Sequence, residues 1–225
     1  MISGLNVVVA PELAGQVRLG VAELAGLEVR PDSTDLRREI ERHVASVRGQ
    51  HSGARSGGVA GVDEARKLYK AMGIDPTKTR PSNEALLRRV LKGQDLYVVN
   101  TLVDALNLCS LREQVPFGLY DRDRIVGAVS LRRGVEGEGY EGIRKSRVNV
   151  ADRPVLVDEE GPFGNPTSDS ARTRITAATR ASLVVAYVPA SWRDDRIVSL
   201  LEQTAETLAR FSGGHLQRCF LPGTV

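Results

Sequence analysis

The stretch VNTLVDALNLCSLREQVPFGLYDRDRI, Val99–Ile125, changes its hydrophobic period partway along and thereby decides the fold. Its first half repeats apolar residues at the spacing of an amphipathic helix, which we expect to run to about Gln114. From Pro116 onward the pattern becomes extended, because proline cannot continue a helix. The stretch therefore marks the junction between a helix-rich first half and a β-rich second half of the chain.

Three polar residues interrupt the helical part of this stretch, namely Asn100, Asp104 and Asn107. Spacings of four and three residues place them on one side of a helix. A surface helix usually carries Lys, Glu and Arg there, whereas aligned amides and carboxylates are typical of hydrogen bonding to something fixed. We therefore take the three as candidate site residues, and a purely structural polar network is the alternative.

The rest of the pattern predicts an α+β chain in one compact domain, residues 1–225, with β layers flanked by helices. Strands are predicted at residues 6–10, 115–120, 125–133, 154–160 and 182–190, with one or two more in 17–29. Helices are predicted at residues 36–49, 62–73, 84–93, 99–114 and 191–214. Ser82 and Asn83 are expected to cap the third of these helices.

Composition excludes several classes of protein. The 225 residues are 41% hydrophobic and 26% charged, which is ordinary for a globular protein. No apolar run is long enough to span a membrane, and the N-terminus lacks the pattern of a secretion signal, so we expect a cytoplasmic protein. The two cysteines and three histidines show no metal-ligand spacing, so we expect no metal and no cofactor.

Positive charge is concentrated in one segment, Arg66–Lys92. It holds eight Lys or Arg against Asp75 and Glu84, so the segment is +6 and the remaining chain −3, within a net charge of +3. Such a segment suits phosphate contacts, and a solvated helix pair is the alternative. The phosphate-contact candidates are Lys78, Arg80, Arg88, Arg89 and Lys92.

Two further motifs are candidate signs of a ligand site, and only the second supports one. GEGYEG, Gly137–Gly142, matches a dinucleotide fingerprint, but no amphipathic helix follows to offer its N-terminus to a pyrophosphate, so a glycine-rich turn explains it. The segment Gly164–Arg180 is dense in hydroxyls and includes Asp169, Ser170 and Thr173. These side chains suit the lining of a small polar ligand, and an ordinary polar loop is the alternative.

The stretch RPSNEALLRRVLKGQDLYVVNTLVDALNLCSLREQVPFGLYDRDRIVGAVSLRRGVEGEGYEGI resembles the tRNA-binding and editing domain of the phenylalanyl-tRNA synthetase beta subunit. It is more similar still to freestanding proteins that consist of that domain alone. The synthetase pattern Asn-x-x-Val-Asp-x-x-Asn is present here from Asn100 to Asn107. An extended segment, Pro116–Asp121, and a Gly-Glu pair that includes Glu138 follow in the same order.

The resemblance implies an α+β domain whose pocket between β layers hydrolyses mischarged aminoacyl-tRNA. The catalytic module of a synthetase is absent, so we expect no tRNA ligase activity. On this interpretation Asn100, Asp104 and Asn107 tie their helix to the segment Pro116–Asp121 and shape one wall of the pocket. An aminoacyl ester is already activated, so an ordered water and amide donors suffice and no catalytic triad is needed.

One residue departs from the family pattern. Gly118 stands where the synthetase has a pocket-lining His, and we expect this change to remove a polar wall and enlarge the space. Asp169, Ser170 and Thr173 would then supply replacement polar contacts.

Two functions follow from these observations. The first is a trans-acting aminoacyl-tRNA deacylase that binds tRNA through the basic segment. The second is a non-catalytic binding module for tRNA, or for a free amino acid or small polar ligand. The sequence specifies neither the amino acid nor the oligomeric state.

Overall fold

The computed structural model describes residues 4–51, 53, 55–143 and 147–224. Within them the helices are α1 (Thr34–Gln50), α2 (Val62–Ala71), α3 (Ser82–Leu91), α4 (Thr101–Glu113) and α5 (Asp194–Ser212). The strands are β1 (Val7–Val9), β2 (Arg18–Leu27), β3 (Phe117–Asp121), β4 (Val129–Arg133), β5 (Gly139–Glu141), β6 (Arg147–Asn149), β7 (Pro154–Asp158), β8 (Gly161–Asn165), β9 (Ser168–Asp169), β10 (Ala181–Val188) and β11 (Gly213–Phe220). The predicted α+β class is confirmed.

A central antiparallel sheet is formed by the strands in the order β11-β2-β10-β3. Its strand β10 is apolar except for Ser182 and the hydroxyl of Tyr187, because both of its faces are covered. Val184 and Ala186 pack with apolar residues of α4 and α5 on one face. Val185 and Tyr187 pack on the other face with a second sheet.

The second sheet has the order β1-β4-β7-β8-β9, in which β1 runs parallel to β4 and the other pairs are antiparallel. Its core residues include Leu131, Leu156 and Phe163, which belong to the same apolar cluster as Val185 of the central sheet. The molecule is therefore layered as helices, sheet and sheet. A small hairpin of β5 and β6 stands beside these layers.

The helix α4 ends where the sequence predicts. Gln114 adopts a left-handed conformation with φ 53°, and the Ser110 hydroxyl donates a hydrogen bond of 2.7 Å to the Val115 carbonyl. These features turn the chain from α4 into β3, which begins at Phe117.

The predicted capping of α3 is wrong. Its N-cap is Pro81, whose extended backbone makes Ser82 the first helical residue. The Asn83 side chain is buried and donates a 3.0 Å hydrogen bond to the Gln114 carbonyl instead of closing its own helix. Asn83 therefore joins α3 to the end of α4. No helix within the described ranges is long and apolar enough to cross a membrane.

Candidate functional site

A cleft with a volume of about 620 Å³ lies between the segment before α3 and the strands β6 to β9. We call it the basic cleft. It is lined by Ile74, Lys78, Thr79, Arg80, Arg147, Val148, Asn149, Arg153, Pro154, Asn165, Thr167 and Ser168. Four of these residues are cationic, and the described lining contains no carboxylate.

The four cations of the basic cleft differ in the contacts that their side chains make within the protein. Lys78 and Arg153 make no side-chain hydrogen bond or ion pair with any residue in the described part of the chain. Arg147 donates one 3.0 Å hydrogen bond to the Gly137 carbonyl, and Arg80 lies 3.6 Å from the Glu84 carboxylate. Lys78 and Arg153 are therefore free to bind an anion.

The cleft adjoins a smaller cavity of about 310 Å³, with which it shares Arg80 and Thr167. The other lining residues of this inner cavity are Ser82, Ala85, Leu86, Leu106, Asn107, Ser110 and Phe117. Its walls therefore combine an amide, hydroxyls and one aromatic ring. Such a mixture suits an amino-acid-sized group attached to an anion in the cleft.

The loop between β8 and β9 is held rigidly beside the cleft. The Asn165 side-chain oxygen accepts hydrogen bonds from the backbone N–H groups of Thr167 (2.8 Å) and Ser168 (2.9 Å). The buried Tyr69 hydroxyl donates to the Pro166 carbonyl at 2.7 Å and accepts a long hydrogen bond of 3.4 Å from the Thr167 hydroxyl. The Thr167 hydroxyl is thus fixed where the cleft meets the inner cavity.

Asp169 lies among four of the five tyrosines of the protein. The four are Tyr69, Tyr120, Tyr140 and Tyr187. Desolvation by the surrounding protein raises the pKa of Asp169 to about 7, although the Tyr120 hydroxyl and the Leu119 backbone act to lower it. The residue as a whole is half-buried. Asp169 therefore exchanges a proton near neutral pH.

The surroundings of Gly118 overturn one prediction. A Cβ at Gly118 would lie 2.2 Å from the Tyr120 hydroxyl oxygen, and a Cβ at Gly164 would lie 2.4 Å from the same atom. The Tyr120 ring, packed edge-on against Phe163 at 5.0 Å, occupies the space over both glycines. The expectation that Gly118 enlarges the pocket is wrong, because an aromatic side chain from the same strand fills the space.

The polar residues of α4 do not form one network. Asn100 is the N-cap and accepts a 3.0 Å hydrogen bond from the Val103 N–H. Asp104 accepts the Val99 N–H with both oxygens, at 3.0 and 3.2 Å, and burial raises its pKa to about 6.

The predicted tie between these two residues and Pro116–Asp121 is therefore wrong, because both satisfy backbone groups at the start of their own helix. Asn107 alone of the three lines the inner cavity.

Glu138, Ser170 and Thr173 make their side-chain hydrogen bonds within the protein. Glu138 accepts two hydrogen bonds from Arg132, at 2.8 and 2.7 Å, and this pairing is the main reason that its pKa falls to about 2. Ser170 and Thr173 are buried and share a 2.9 Å hydrogen bond between their hydroxyls. The Thr173 carbonyl accepts the Asp121 N–H at 2.8 Å. None of these three side chains belongs to the described lining of the cleft.

The structure divides the five predicted phosphate-contact residues among three places. Lys78 and Arg80 line the basic cleft, whereas Arg88 and Lys92 line a different pocket. Arg89 stacks over the Tyr97 ring, with its guanidinium carbon 4.0 Å from the ring centroid. Sequence order alone therefore grouped residues that line different pockets.

The sequence reasoning missed Arg147 and Arg153. A signal was present, since the run from Arg144 to Arg153 holds four Lys or Arg against the single acid Asp152. Residues 144–146 of that run lie outside the described residues. Among the residues that the structure describes, no three His, Cys, Asp or Glu are grouped as metal ligands would be.

Comparison with known proteins fits this architecture. Residues 64–210 match the family model described as "B3/4 domain". The phenylalanine–tRNA ligase beta subunit of Streptomyces avermitilis is 31% identical over 93 residues, which are 41% of this chain and 11% of that protein. This chain therefore spans a small part of that relative, while its resemblance to a phenylalanyl-tRNA synthetase beta domain is confirmed.

A solved structure extends the comparison to the fold. The N-terminal fragment of the phenylalanyl-tRNA synthetase beta subunit from Pyrococcus horikoshii aligns with 95% of this chain and 50% of its own, at a TM-score of 0.51. Sequence identity is 15%, so this likeness speaks to the fold alone.

Proposed function

Because this chain belongs to the B3/4 domain family, we propose that it binds tRNA through the basic cleft and hydrolyses the ester of a mischarged aminoacyl-tRNA. We further propose that residues 1–225 act as a single domain. In support, β11 near the end of the chain pairs with β2, and β1 near its start pairs with β4.

One observation carries the proposal. The described lining of the basic cleft has four cations and no acid, and the cleft shares Arg80 and Thr167 with the adjoining inner cavity. A phosphate of the tRNA acceptor end pairs with Lys78 and Arg153, whose side chains make no hydrogen bond or ion pair within the described residues, although Asp75 attracts Lys78 at longer range. The esterified amino acid then lies in the inner cavity beside Asn107.

The chemistry requires few groups. An aminoacyl ester is activated, so the protein has to hold it against a water molecule and provide donors to the developing oxyanion. The Thr167 hydroxyl stands at the required junction, and the Asn107 side chain makes no hydrogen bond within the described ranges. In this proposal both groups donate to the developing oxyanion, and Thr167 gives up its long 3.4 Å hydrogen bond to the Tyr69 hydroxyl to do so. Water attacks the carbonyl carbon, the bond from that carbon to the ribose oxygen breaks, and the ribose leaves as a hydroxyl that takes up one proton of the water.

A second candidate is binding without hydrolysis, and Tyr120 favours it. Its ring fills the space over Gly118 and Gly164, in the layer between the two sheets. A substrate that needed that space would meet a side chain already in place. In this case the cleft holds tRNA, or the cleft and inner cavity hold a free amino acid or small polar ligand.

The first experiment measures tRNA binding as a function of salt. The Lys78→Gln/Arg153→Gln variant should bind more weakly, and its salt slope should fall by about one unit for each phosphate that the protein no longer neutralises. The charge-matched control is Arg124→Gln/Arg193→Gln, which changes two exposed cations outside the cleft. An unchanged slope in the cleft variant would reject tRNA binding at this site, and ligand binding indifferent to salt would favour a small molecule.

The second experiment measures release of amino acid from a panel of correctly and incorrectly charged tRNAs. Thr167→Val should slow hydrolysis of the accepted species by about 10²-fold with unchanged tRNA affinity, because only the oxyanion donor is removed. Arg124→Gln, with a change outside the cleft, is the activity control. Release from no species, with tRNA binding intact, would reject hydrolysis and leave the binding module.

A further inference from the structure

A second basic pocket of about 450 Å³ lies at the other end of α3 from the basic cleft. We call it the α2–α3 pocket. Its lining residues are Arg55, Ser56, Gly57, Arg66, Arg88, Leu91 and Lys92. Four of the seven are cationic, and no described residue of the lining is acidic.

Three of the four cations have no partner within the described ranges. These are Arg55, Arg88 and Lys92, all of them exposed. Arg88 and Lys92 are four residues apart on α3 and therefore neighbours on one face. Both lie at the C-terminal end of α3, where positive charge stabilises a helix through its dipole. The dipole explains the presence of these two cations, but it does not explain why Arg55 and Arg66, which come from other elements, converge on the same pocket.

Arg66 is held in one orientation by Glu84. Its Nε and Nη2 donate to the two oxygens of the Glu84 carboxylate at 2.8 and 2.6 Å. The Ser56 hydroxyl donates to the same carboxylate at 3.0 Å and fixes the adjoining loop. Since Glu84 is fully buried, the pair is shielded and the guanidinium is positioned before any ligand arrives.

The remaining nitrogen of Arg66 is uncovered because residue 57 is a glycine. A Cβ at Gly57 would lie 3.6 Å from Arg66 Nη1, and longer side chains there would cover that atom. Nη1 makes no hydrogen bond with the described residues. Its N–H groups are thus available at the pocket, beside the other three cations.

The positive charges of the pocket are only partly compensated by the protein. Four positive groups share one pocket with two neighbouring carboxylates, Glu84 and Asp63, both of which act on Arg66, and this leaves a local charge of +2 (4 − 2). Like charges placed together destabilise a fold. An oxyanion with several acceptor atoms would satisfy all four cations at once.

We infer that the α2–α3 pocket binds a backbone phosphate of the same RNA whose acceptor end occupies the basic cleft. This inference rests on the proposed function. The helix α3 has ten residues and is therefore about 15 Å long. The two sites approach each other at Glu84, whose Oε1 lies 2.6 Å from Arg66 and 3.6 Å from Arg80, and Arg88 and Lys92 extend the basic surface to the far end of α3. One RNA backbone that follows α3 therefore reaches both sites.

Glu84 connects the two sites structurally. Its carboxylate binds Arg66 of the α2–α3 pocket and lies 3.6 Å from Arg80 of the basic cleft. The two phosphate sites thus have a fixed spacing. A spacing set by the protein selects RNA whose backbone follows α3.

The test compares salt slopes of tRNA binding among four proteins. They are the wild type, Arg88→Gln/Lys92→Gln for the α2–α3 pocket, Lys78→Gln/Arg153→Gln for the cleft, and Arg124→Gln/Arg193→Gln as the control. We expect the pocket variant to lower the slope by about one unit and to weaken binding uniformly across tRNA species. Its melting temperature should change little, because the relief of like-charge repulsion offsets the loss of the favourable interaction of these two cations with the helix dipole.

The outcomes separate this inference from the proposed function. A pocket variant that behaves like the control, while the cleft variant shows a reduced slope, overturns the α2–α3 pocket alone. A wild type that fails to bind tRNA at low salt overturns the proposed function and this inference together. A pocket that binds millimolar inorganic pyrophosphate without affecting the tRNA slope is a site for a free phosphorylated compound, which also contradicts the inference.

Discussion

Replacing Asp169 by Asn should make the protein more stable at pH 8 and leave its stability nearly unchanged at pH 4. Burial raises the pKa of this carboxyl from 3.8 to about 7. Between these two values the folded protein retains a proton that the unfolded chain has released. The stabilisation is therefore complete below about pH 4 and is lost as the pH rises through 7.

The size of the effect follows from the pKa difference. A difference of about 3 units corresponds to about 4 kcal/mol, at 1.36 kcal/mol per unit. Asp169 is half-buried, so water screens part of this cost and about 2 to 4 kcal/mol is expected. Asparagine has nearly the same shape and carries no charge at any pH, so the Asp169→Asn variant should keep the low-pH stability.

The assay is urea unfolding of wild type and variant at pH 4, 5, 6, 7 and 8, with the difference in unfolding free energy plotted against pH. Asp104→Asn is the matched control, because burial raises the pKa of Asp104 only to about 6. The stability that this variant gains with rising pH should therefore level off about one pH unit lower than the stability gained by Asp169→Asn. A difference that is flat from pH 4 to 8, or that favours wild type at pH 8, would refute the reasoning.

Three other contacts give further expectations. Gly118→Ala should destabilise the protein by about 1 to 3 kcal/mol in urea unfolding, because the new methyl would lie 2.2 Å from the Tyr120 hydroxyl oxygen; a neutral result would mean that the ring moves freely. Glu84→Gln should cost about 1.5 kcal/mol at pH 7, because Arg66 loses its charged partner but is itself partly exposed to water. Burial alone would raise the pKa of Glu84, and the hydrogen bonds from Arg66 and Ser56 nevertheless keep it below its ordinary value. Equal stability of variant and wild type would contradict that pairing. Tyr187→Phe should change the melting temperature by less than about 3 °C, because its hydroxyl lies a long 3.5 Å from that of Tyr120; a larger loss would indicate a stronger hydroxyl network.

The sequence by itself determined the secondary structure wherever periodicity was strong. The helix of Val62–Ala71 begins with two acids and is followed by Gly73, and both signals are local. The break after Glu113 follows from Pro116, and the apolar run Ala181–Val188 is long enough only for a strand. Such features depend on the backbone and on near neighbours, so a linear pattern is sufficient to predict them.

The strand Gly213–Phe220 could not be predicted in the same way. Its exposed and half-buried residues show no clean alternation, and it is a strand because β2 offers it an edge to pair with. The same limit applies to Asn83, whose partner Gln114 is 31 residues away.

The candidate site was decided by tertiary structure. Lys78 and Arg153 are 75 residues apart and line one cleft. Arg88 and Arg89 are adjacent in sequence, yet Arg88 lines the α2–α3 pocket and Arg89 stacks over the Tyr97 ring. Tyr120 fills the space that Gly118 leaves because the strand places both on one side of the sheet. Residue types show which chemistry a chain carries, but charges act over a few ångströms of space, and only the folded chain sets those distances.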